Sequence, residues 1–485
     1  MTDTPDSGVA SPRRRSILPK IGGIPISIDL QEGKVIPRRQ VLAWATWDWG
    51  TAAFNAVITT FVFTVYITGS LFVPPAIRAA YLAETNIHGP AHHALALAEA
   101  PLSSGLAFAL AIAGGVVAIL SPIIGFASDA TGHRKIWLGV STGLVVVTTA
   151  SMFFVQGQPS YFVLGVTLVA IGTVFYEIAT VNYNAMLLDV STPKTIGKVS
   201  ALGWASGYLG GIVLLLIVYF GIVVEGSTPG VGGFLHVSEA DGLNIRIIAL
   251  ICAVWTVVFS IPILVAVPEQ PLVDRTGMTF GQSFLNLFRD VRDLWKVSRN
   301  VILFLIASAL FRDGLVGVFT FGGILASGTF GFSTGQVIIF AIAANVVAGV
   351  STLISGRFDD RFGAKPVIVV ALIGLVIAGT ATFFAHDGGQ AAFWIGGLIL
   401  CLFVGPAQSA SRTFLARLAP AGHEGEVFGL YNFTGRAVSF LAPLLFGVFI
   451  TAFGEQYWGI LGIVLVLFVG LLLLIPVRSS IQKRD

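Results

Sequence analysis

Apolar residues of this chain occur in long runs, and short polar segments separate one run from the next. A helix needs about 20 apolar residues to cross the hydrocarbon core of a bilayer, and we count twelve runs of that length. The runs cover roughly residues 41–72, 102–127, 136–156, 160–189, 199–224, 245–267, 300–325, 335–355, 367–385, 391–417, 427–452 and 456–476. The pattern predicts twelve transmembrane helices, numbered 1 to 12 in chain order.

The composition agrees with a bilayer as the main solvent of this chain. Of its 485 residues, 55% are hydrophobic and 11% are charged, whereas a soluble domain carries about 25% charged residues. So few charges cannot cover a water-facing surface. The two cysteines, Cys252 and Cys401, lie inside apolar runs, so we expect no disulfide framework.

Basic residues mark one side of the predicted ladder of helices. Lys and Arg residues fall on the side of the chain termini, and Arg78 and Arg246 are the exceptions. Because Lys and Arg accumulate in cytoplasmic loops, we expect a multi-pass protein of the cell (plasma or inner) membrane with both termini in the cytoplasm. The predicted parts are a tail at 1–40, a six-helix bundle at 41–267, a central loop at 268–299, a second six-helix bundle at 300–477 and a tail at 478–485.

Two internal repeats support a division into similar halves. The string "GFASDATGHRK" at 125–135 returns as "GRFDDRFGAKP" at 356–366, which is 231 residues later. A weaker pair is "GKVSALGWASG" at 197–207 and "GEVFGLYNFTG" at 425–435, which is 228 residues apart. Offsets this similar indicate a duplicated six-helix half, which is a plan common among transporters.

These motifs resemble those of the major facilitator superfamily. Its signature G-x3-D-R/K-x-G-x-R/K-R/K in the loop after helix 2 matches the second copy through Arg361, and Ala130 replaces the basic residue in the first copy. The segments 43–66, 199–211, 312–333 and 425–447 are similar to the branch that contains the fungal vacuolar amino-acid effluxers and their bacterial relatives. The resemblance extends from about residue 40 to about residue 476.

The resemblance implies an all-α membrane protein with two pseudo-symmetric six-helix bundles. It further implies a secondary active transporter that works by alternating access, with a small polar metabolite as substrate and amino acids favoured. We expect a monomer in the bilayer, with no nucleic-acid partner, no enzymatic activity and no cofactor or metal; a proton or Na⁺ is the candidate coupling ion. The alternative is a transport-inactive sensor or scaffold that retains the fold.

In that superfamily the repeated motif is a latch between the halves. The alternative is that it only sets topology by the positive-inside rule. Its glycines permit a tight turn and close helix approach, and its charged side chains can pair near helix ends. The candidate gating residues are Gly125, Asp129, Gly132, Arg134, Lys135, Gly356, Asp360, Arg361, Gly363 and Lys365.

Ionisable residues inside the predicted helices are the main functional candidates, because a charge in the membrane is costly. They lie on helices 1, 4, 7 and 11, and helix 10 adds further polar residues. In the superfamily, helices 1, 4, 7 and 10 line the central cavity. Polar stripes on helices 1, 4 and 11 support such a cavity. The candidate cavity residues are Asp48, Asn55, Glu177, Asn184, Arg312, Asp313, Gln408, Arg412, Asn432 and Arg436.

Each charged candidate has two interpretations. Asp48 is a gate or proton site, or it only caps or pairs near the cytoplasmic end, for instance with Arg436. Glu177 is a coupling or binding site, or one member of a buried salt bridge. Arg436 anchors a substrate carboxylate through its bidentate guanidinium, or it locks the halves together by pairing with Asp48 or Glu177. Arg312 and Asp313 are adjacent and therefore point about 100° apart, so one of them is expected to face a neighbouring helix.

The formal charges of the embedded groups do not cancel. The acids Asp48, Glu177 and Asp313 exceed the arginines at positions 312 and 436 by one negative charge. A proton, Na⁺ or a cationic amine of the substrate would neutralise this charge, and a zwitterionic amino acid with a proton fits this balance.

Gly203, Gly207 and Gly211 on helix 5 form a double GxxxG pattern, which predicts a close packing face. Trp44, Trp47 and Trp49 at the start of helix 1 predict an interfacial aromatic belt.

Overall fold

The computed structural model describes residues 36–84, 89–131, 133–192, 195–224, 230–269, 292, 295, 298–418 and 424–478. Twelve helices in this part are long and apolar enough to cross a membrane, so the predicted number is confirmed. The predicted tails 1–40 and 478–485, the central loop 268–299 and Gly132 lie largely or wholly outside the described residues.

The described part of the chain is almost entirely helical, apart from a short two-stranded antiparallel hairpin. The α-helices are α1 Arg38–Ala52, α2 Phe63–Ile67, α3 Pro75–Ala83, α4 Pro90–Thr131, α5 Arg134–Ser151, α6 Phe162–Ala185, α7 Ile196–Val218, α8 Leu243–Ala266, α9 Arg299–Gly328, α10 Thr334–Phe362, α11 Ala364–Phe384, α12 Gly389–Leu418, α13 Glu424–Ala437, α14 Leu441–Phe453 and α15 Gly459–Leu474. The hairpin pairs β1, Val231–Gly232, with β2, Val237–Ser238.

The helices alternate between two ends of the bundle. We call the end that holds Arg38, Arg134, Lys365 and Arg478 the terminal end, and the opposite end the distal end. The N-terminal half comprises α1 to α8 and the C-terminal half comprises α9 to α15.

Helix 2 is longer than the sequence predicts. The residues from 90 to 101 were expected in a loop, but α4 begins at Pro90 and runs for 42 residues. The carboxylate of Glu84 accepts the backbone N–H of Ala91 at 2.7 Å, which satisfies an open donor of the first helical turn. Tyr81 on α3 adds an edge-to-face ring contact with His92. These contacts explain how a less hydrophobic segment joins the helix.

The first membrane-crossing helix changes its winding halfway. Its α-helical start is followed by a π-helical segment, Ala53–Phe61, before α2 begins. The wider turn lets the hydroxyls of Thr59 and Thr60 both donate to the carbonyl of Asn55, and the Asn55 residue is exposed. Segments of π-helix are frequent at functional sites.

The two halves are joined at the distal end. The π-helical segment of helix 1 packs on α9, and α4 packs on α13 and α14. Gly323 of α9 lies close to the carbonyl of Thr60, so the helix backbones approach closely there. The Gln456 amide donates to the Ser103 hydroxyl of the other half at 2.8 Å and accepts from Thr329 at 2.8 Å. These contacts close the distal end of the helical bundle in this structure.

Candidate functional site

An ion pair joins the two halves at the middle of the bundle. The Nη1 atom of Arg436 on α13 donates to the Oε2 atom of Glu177 on α6, and it also donates to the carbonyl oxygen of Glu177 at 3.0 Å. The side chains are 17% and 33% exposed, so the pair is only partly withdrawn from solvent. Arg436 was expected to anchor a substrate or to lock the halves by pairing with Asp48 or Glu177, and the described contacts show the pair with Glu177 and none with Asp48.

A second guanidinium lies against the same helix. Arg312 on α9 donates through Nη1 to the carbonyl of Tyr431 at 2.9 Å, and its guanidinium carbon is 3.8 Å from the centre of the Tyr431 ring. The Tyr431 hydroxyl shares a 2.7 Å hydrogen bond with Ser411 of α12. Tyr431 therefore holds α9, α12 and α13 together around Arg312.

A third guanidinium crosses between the halves. Arg412 on α12 lies 4.5 Å from the ring centre of Trp204 on α7, and this cation–π contact is on the terminal side of the Glu177–Arg436 pair. Ser411, which precedes Arg412, contacts Tyr431 beside Arg312, and a Cβ atom on Gly435, which precedes Arg436, would lie 3.0 Å from the Arg312 guanidinium. The three positive residues therefore surround the same segment of α13. Gln408, one turn before Arg412, is half-buried.

Three amides on the inner helices are exposed: Asn55, Asn184 and Asn432. Exposed amides in the apolar part of a membrane protein indicate a water-filled space. We call the space bounded by these amides and by the Glu177–Arg436 pair the central cavity.

Asp48 belongs to an aromatic cluster in the N-terminal half. It accepts a hydrogen bond from the Tyr183 hydroxyl at 3.1 Å. The Tyr183 ring is stacked between Trp44 and Trp47, with both centroids 4.4 Å away. Its described partner is thus Tyr183 and not Arg436, the example considered from the sequence. The predicted interfacial belt is wrong for these two tryptophans, which are 2% and 1% exposed, because their rings pack on Tyr183 inside the bundle.

Asp313 faces a helix end and not the central cavity. Helix 11 is interrupted between α13 and α14, and the Asp313 carboxylate accepts the backbone N–H of Ala442 at 2.6 Å at the start of α14. A negative charge is favourable at a helix N-terminus. Asp313 is 6% exposed, so its inclusion among the cavity residues is wrong, whereas the expectation that one of the adjacent pair faces a neighbouring helix is correct.

The structure also changes the predicted balance of charge. The C-terminal half brings Arg312, Arg412 and Arg436 to the cavity region, and its embedded acid Asp313 is turned away. The N-terminal half brings Asp48 and Glu177. The expected surplus of one negative charge does not hold for these groups, because Arg412 is added and Asp313 is removed.

The glycines of α7 face helix 1. A Cβ atom on Gly203 would lie 2.8 Å from the Trp44 ring and the Tyr183 hydroxyl, and one on Gly211 would lie 3.3 Å from Ala56. Gly207 faces Asp48 with more room, at 3.7 Å. The absence of side chains lets α7 approach the Asp48 cluster closely.

The first copy of the repeated motif lies at the end of α4, so Gly125 and Asp129 are in a helix and not in the predicted loop. The side chain of Asp129 lies outside the described residues, as does Gly132. Arg134 pairs with the buried Asp189 at 3.7 Å, and Lys135 follows it in the first turn of α5.

The second copy differs from the prediction in three ways. Residues 356–362 are helical, and only Gly363, with φ 89°, makes the turn. Gly356 has open space at its Cα atom, so no close helix approach requires it. Asp360 is exposed, and the neighbouring Asp359 forms the ion pair instead, at 2.7 Å from Arg417 on α12.

The basic residues of this copy make local contacts. The Lys365 ammonium donates to the carbonyls of Ile475 and Val477 at 2.8 and 2.6 Å, where positive charge suits the end of α15. Arg361 lies over the ring of its neighbour Phe362 at 5.3 Å. Within the described residues these contacts stay inside the C-terminal half.

Several residues of the site were missed in the sequence. Tyr183 and Tyr431 each hold a charged candidate, and Trp204 forms the contact with Arg412. Their only signal is position, since Tyr183 and Tyr431 directly precede the candidate amides Asn184 and Asn432, and Trp204 follows Gly203 of the glycine pattern on helix 5. Glu99, a carboxyl group that is 5% exposed in α4, was also missed, although its run of alanine and leucine neighbours marks it as embedded. Among the described residues there is no group of three or more His, Cys, Asp and Glu arranged for a metal.

Known proteins similar to this chain are transporters. The family described as "Vacuole effluxer Atg22 like" matches residues 189–485. The uncharacterized MFS-type transporter YxiO of Bacillus subtilis is 25% identical over 445 residues, covering 91% of this chain and 96% of that protein. Autophagy-related protein 22 of Cryptococcus neoformans is 25% identical over 318 residues, 60% of this chain and 54% of that protein.

Solved structures share the fold. The D-xylose-proton symporter superposes with a TM-score of 0.62 at 14% identity, covering 91% of this chain and 97% of that one. The nucleoside transporter NupG superposes with a TM-score of 0.55 at 13% identity, covering 90% and 97%. At such low identity the likeness concerns the fold alone.

Twelve membrane-crossing helices, together with the matched family and relatives, identify a transporter of the major facilitator superfamily and not an enzyme. Within that superfamily, the chain belongs to the Atg22-like family of vacuole effluxers. It is a multi-pass membrane protein.

Proposed function

We propose that this transporter carries a small metabolite that bears a carboxylate, with amino acids as the first class to test. The observation that supports the proposal is the Glu177–Arg436 pair across the two halves. The Glu177 carboxylate occupies the position at which a substrate carboxylate would meet the guanidinium. A substrate that displaces it would break a link between the halves and so connect binding to movement.

Amino acids are favoured by family membership. The matched family is described as vacuole effluxers, and the sequence resembles the branch with fungal vacuolar amino-acid effluxers. The two sugar and nucleoside transporters named above share only the fold, so their substrates carry no weight here.

We further propose that a proton is the coupling ion. When substrate takes Arg436, Glu177 loses its positive partner in a partly buried place, and a proton is the simplest way to neutralise it. Na⁺ is the alternative ion. The proposed arrangement is a monomer in the plasma or inner membrane with the terminal end in the cytoplasm, which agrees with the basic residues at that end.

Counterflow in proteoliposomes tests the function. Purified protein is reconstituted with an unlabelled amino-acid mixture inside and a labelled mixture outside, with and without an inward proton gradient. We expect saturable exchange in both conditions and net accumulation only with the gradient. Exchange that ignores the gradient would contradict proton coupling and leave the carrier function.

The alternative is a transport-inactive sensor or scaffold. Retention of three guanidinium groups and two acids around the central cavity argues against it, because embedded charges without a ligand are costly. Absence of any exchange, in protein that is shown to be folded and correctly inserted, would favour the sensor.

A further inference from the structure

The two walls of the central cavity carry opposite charge. The N-terminal half contributes the acids Asp48 and Glu177, and the C-terminal half contributes Arg312, Arg412 and Arg436. Such a segregation of positive groups on one wall attracts anions to that wall.

Two of the three guanidinium groups have donors to spare. Among its described contacts Arg412 has only the Trp204 ring, which uses none of its five N–H donors. Arg436 uses Nη1 alone, which donates to the backbone carbonyl oxygen and to the Oε2 atom of Glu177. Arg312 is more occupied, because it donates to Tyr431 and stacks on its ring. No nitrogen of these arginines is among the fully buried polar atoms that lack a partner in the described residues. The unused donors are therefore accessible to water and available to the acceptors of a ligand.

The available donors belong to two different helices. Arg436 is on α13 and Arg412 is on α12. The two helices meet at the Tyr431–Ser411 hydrogen bond, where Ser411 precedes Arg412 and Tyr431 lies little more than one turn before Arg436. One carboxylate fits one guanidinium in a bidentate manner. Two open guanidinium groups on separate helices therefore suit two carboxylates of one molecule.

We infer that the preferred substrate is a small dicarboxylate, either an acidic amino acid or a dicarboxylic acid, with one carboxylate on Arg436 and the other on Arg412. This inference rests on the proposed function and makes it narrower. A neutral amino acid has only one carboxylate and would leave the N–H donors of Arg412 to water. Binding of the second carboxylate would also withdraw Arg412 from the Trp204 ring, so substrate would loosen a contact between the halves at the terminal side.

Exchange of defined substrates in proteoliposomes tests the inference. The probes are L-aspartate, succinate, L-leucine and inorganic phosphate, each labelled and each present on both sides. We expect L-aspartate and succinate to exchange at least about tenfold faster than L-leucine at equal low concentration, since an ionic hydrogen-bonded contact is added. Phosphate is expected not to exchange.

A variant separates the second contact from general loss of activity. Arg412→Gln should lower the ratio of aspartate to leucine exchange about tenfold, and Arg412→Lys should restore part of it because the charge returns without the fork. Arg78→Gln is the control, because it removes the same charge from α3 outside the cavity. The control should leave the ratio unchanged.

The outcomes are distinct. Leucine exchange equal to or faster than aspartate exchange would overturn the dicarboxylate inference and keep the proposed function. An equal effect of Arg412→Gln on both substrates would overturn the role of Arg412. Exchange of phosphate alone would overturn the dicarboxylate class, and no exchange of any probe would overturn the proposed function together with the inference.

Discussion

Removal of the Glu177–Arg436 pair should let the two halves separate at the terminal end. Glu177→Gln removes the charge but keeps the carbonyl of residue 177, which still accepts from Arg436. Arg436→Gln removes the guanidinium and therefore both bonds. The distal contact between Gln456 and Ser103 remains in both variants. The larger effect is expected from Arg436→Gln.

The size of the effect follows from the exposure of the pair. Hydrogen bonds to charged groups contribute about 1.5–3 kcal/mol, whereas exposed ion pairs contribute about 0.2–1 kcal/mol. With side chains that are 17% and 33% exposed, an intermediate value of about 1–2 kcal/mol is appropriate. This corresponds to a change of about 5- to 30-fold in the ratio of closed to open molecules.

Spin-label distance measurements can detect this shift. Labels at Ala205 of α7 and Ala416 of α12 would lie on opposite halves near the terminal end, and both residues are exposed. The native cysteines 252 and 401 are buried, which favours selective labelling of the introduced cysteines. We expect the longer-distance population to grow about 5- to 30-fold relative to the shorter one, and the double variant to resemble Arg436→Gln. Distance distributions that coincide in all four proteins would refute the reasoning.

Three further predictions concern packing and the two ends of the bundle. Gly210→Ala would place a Cβ atom 2.6 Å from a backbone carbonyl of α1, so it should lower the free energy of unfolding by about 1–3 kcal/mol and the thermal unfolding temperature in detergent. Gly207→Ala, whose Cβ would have its nearest contact at 3.7 Å, should unfold at the same temperature as the parent. Equal unfolding temperatures of the two variants would refute the packing account. Asp359→Asn removes the ion pair with Arg417, whose side chain is 44% exposed, so the free energy of unfolding should fall by only about 1 kcal/mol. Asp360→Asn should leave the free energy of unfolding unchanged. A larger loss for Asp360→Asn in chemical unfolding would contradict this assignment. Gln456→Leu removes the two side-chain hydrogen bonds to Ser103 and Thr329 at the distal end, so that end should open more often. A cysteine introduced at Ser103 should then react faster with a polar thiol reagent in the Gln456→Leu background than in its absence. An unchanged reaction rate would contradict a role of Gln456 in distal closure.

The fold was predictable because membrane insertion depends on long apolar runs, which a single sequence displays directly. All twelve helices were found in this way. The start of α4 was missed because its first turns are completed by Glu84, which lies in the preceding segment. A contact of this kind depends on the folded chain and leaves no periodic signal.

The candidate site was predictable as a set of residues but not as a set of partners. Embedded charges are visible in the sequence, and Glu177, Arg312 and Arg436 were found for that reason. The choice of partner depends on helix rotation and on breaks in helices. Asp313 accepts a hydrogen bond from the start of α14, which exists because helix 11 is interrupted there. Asp48 accepts a hydrogen bond from the Tyr183 hydroxyl, for which Gly203 of α7 leaves room because it has no side chain.

The most direct test of the central claim compares wild-type protein with Arg436→Lys in counterflow of labelled L-aspartate. If Arg436 holds the substrate carboxylate through its two-pronged guanidinium, the lysine variant keeps the charge but loses the fork. We expect the concentration for half-maximal exchange to rise at least about tenfold, with the protein still folded and inserted. An unchanged half-maximal concentration would contradict substrate binding at Arg436 and reduce the Glu177–Arg436 pair to a structural link between the halves.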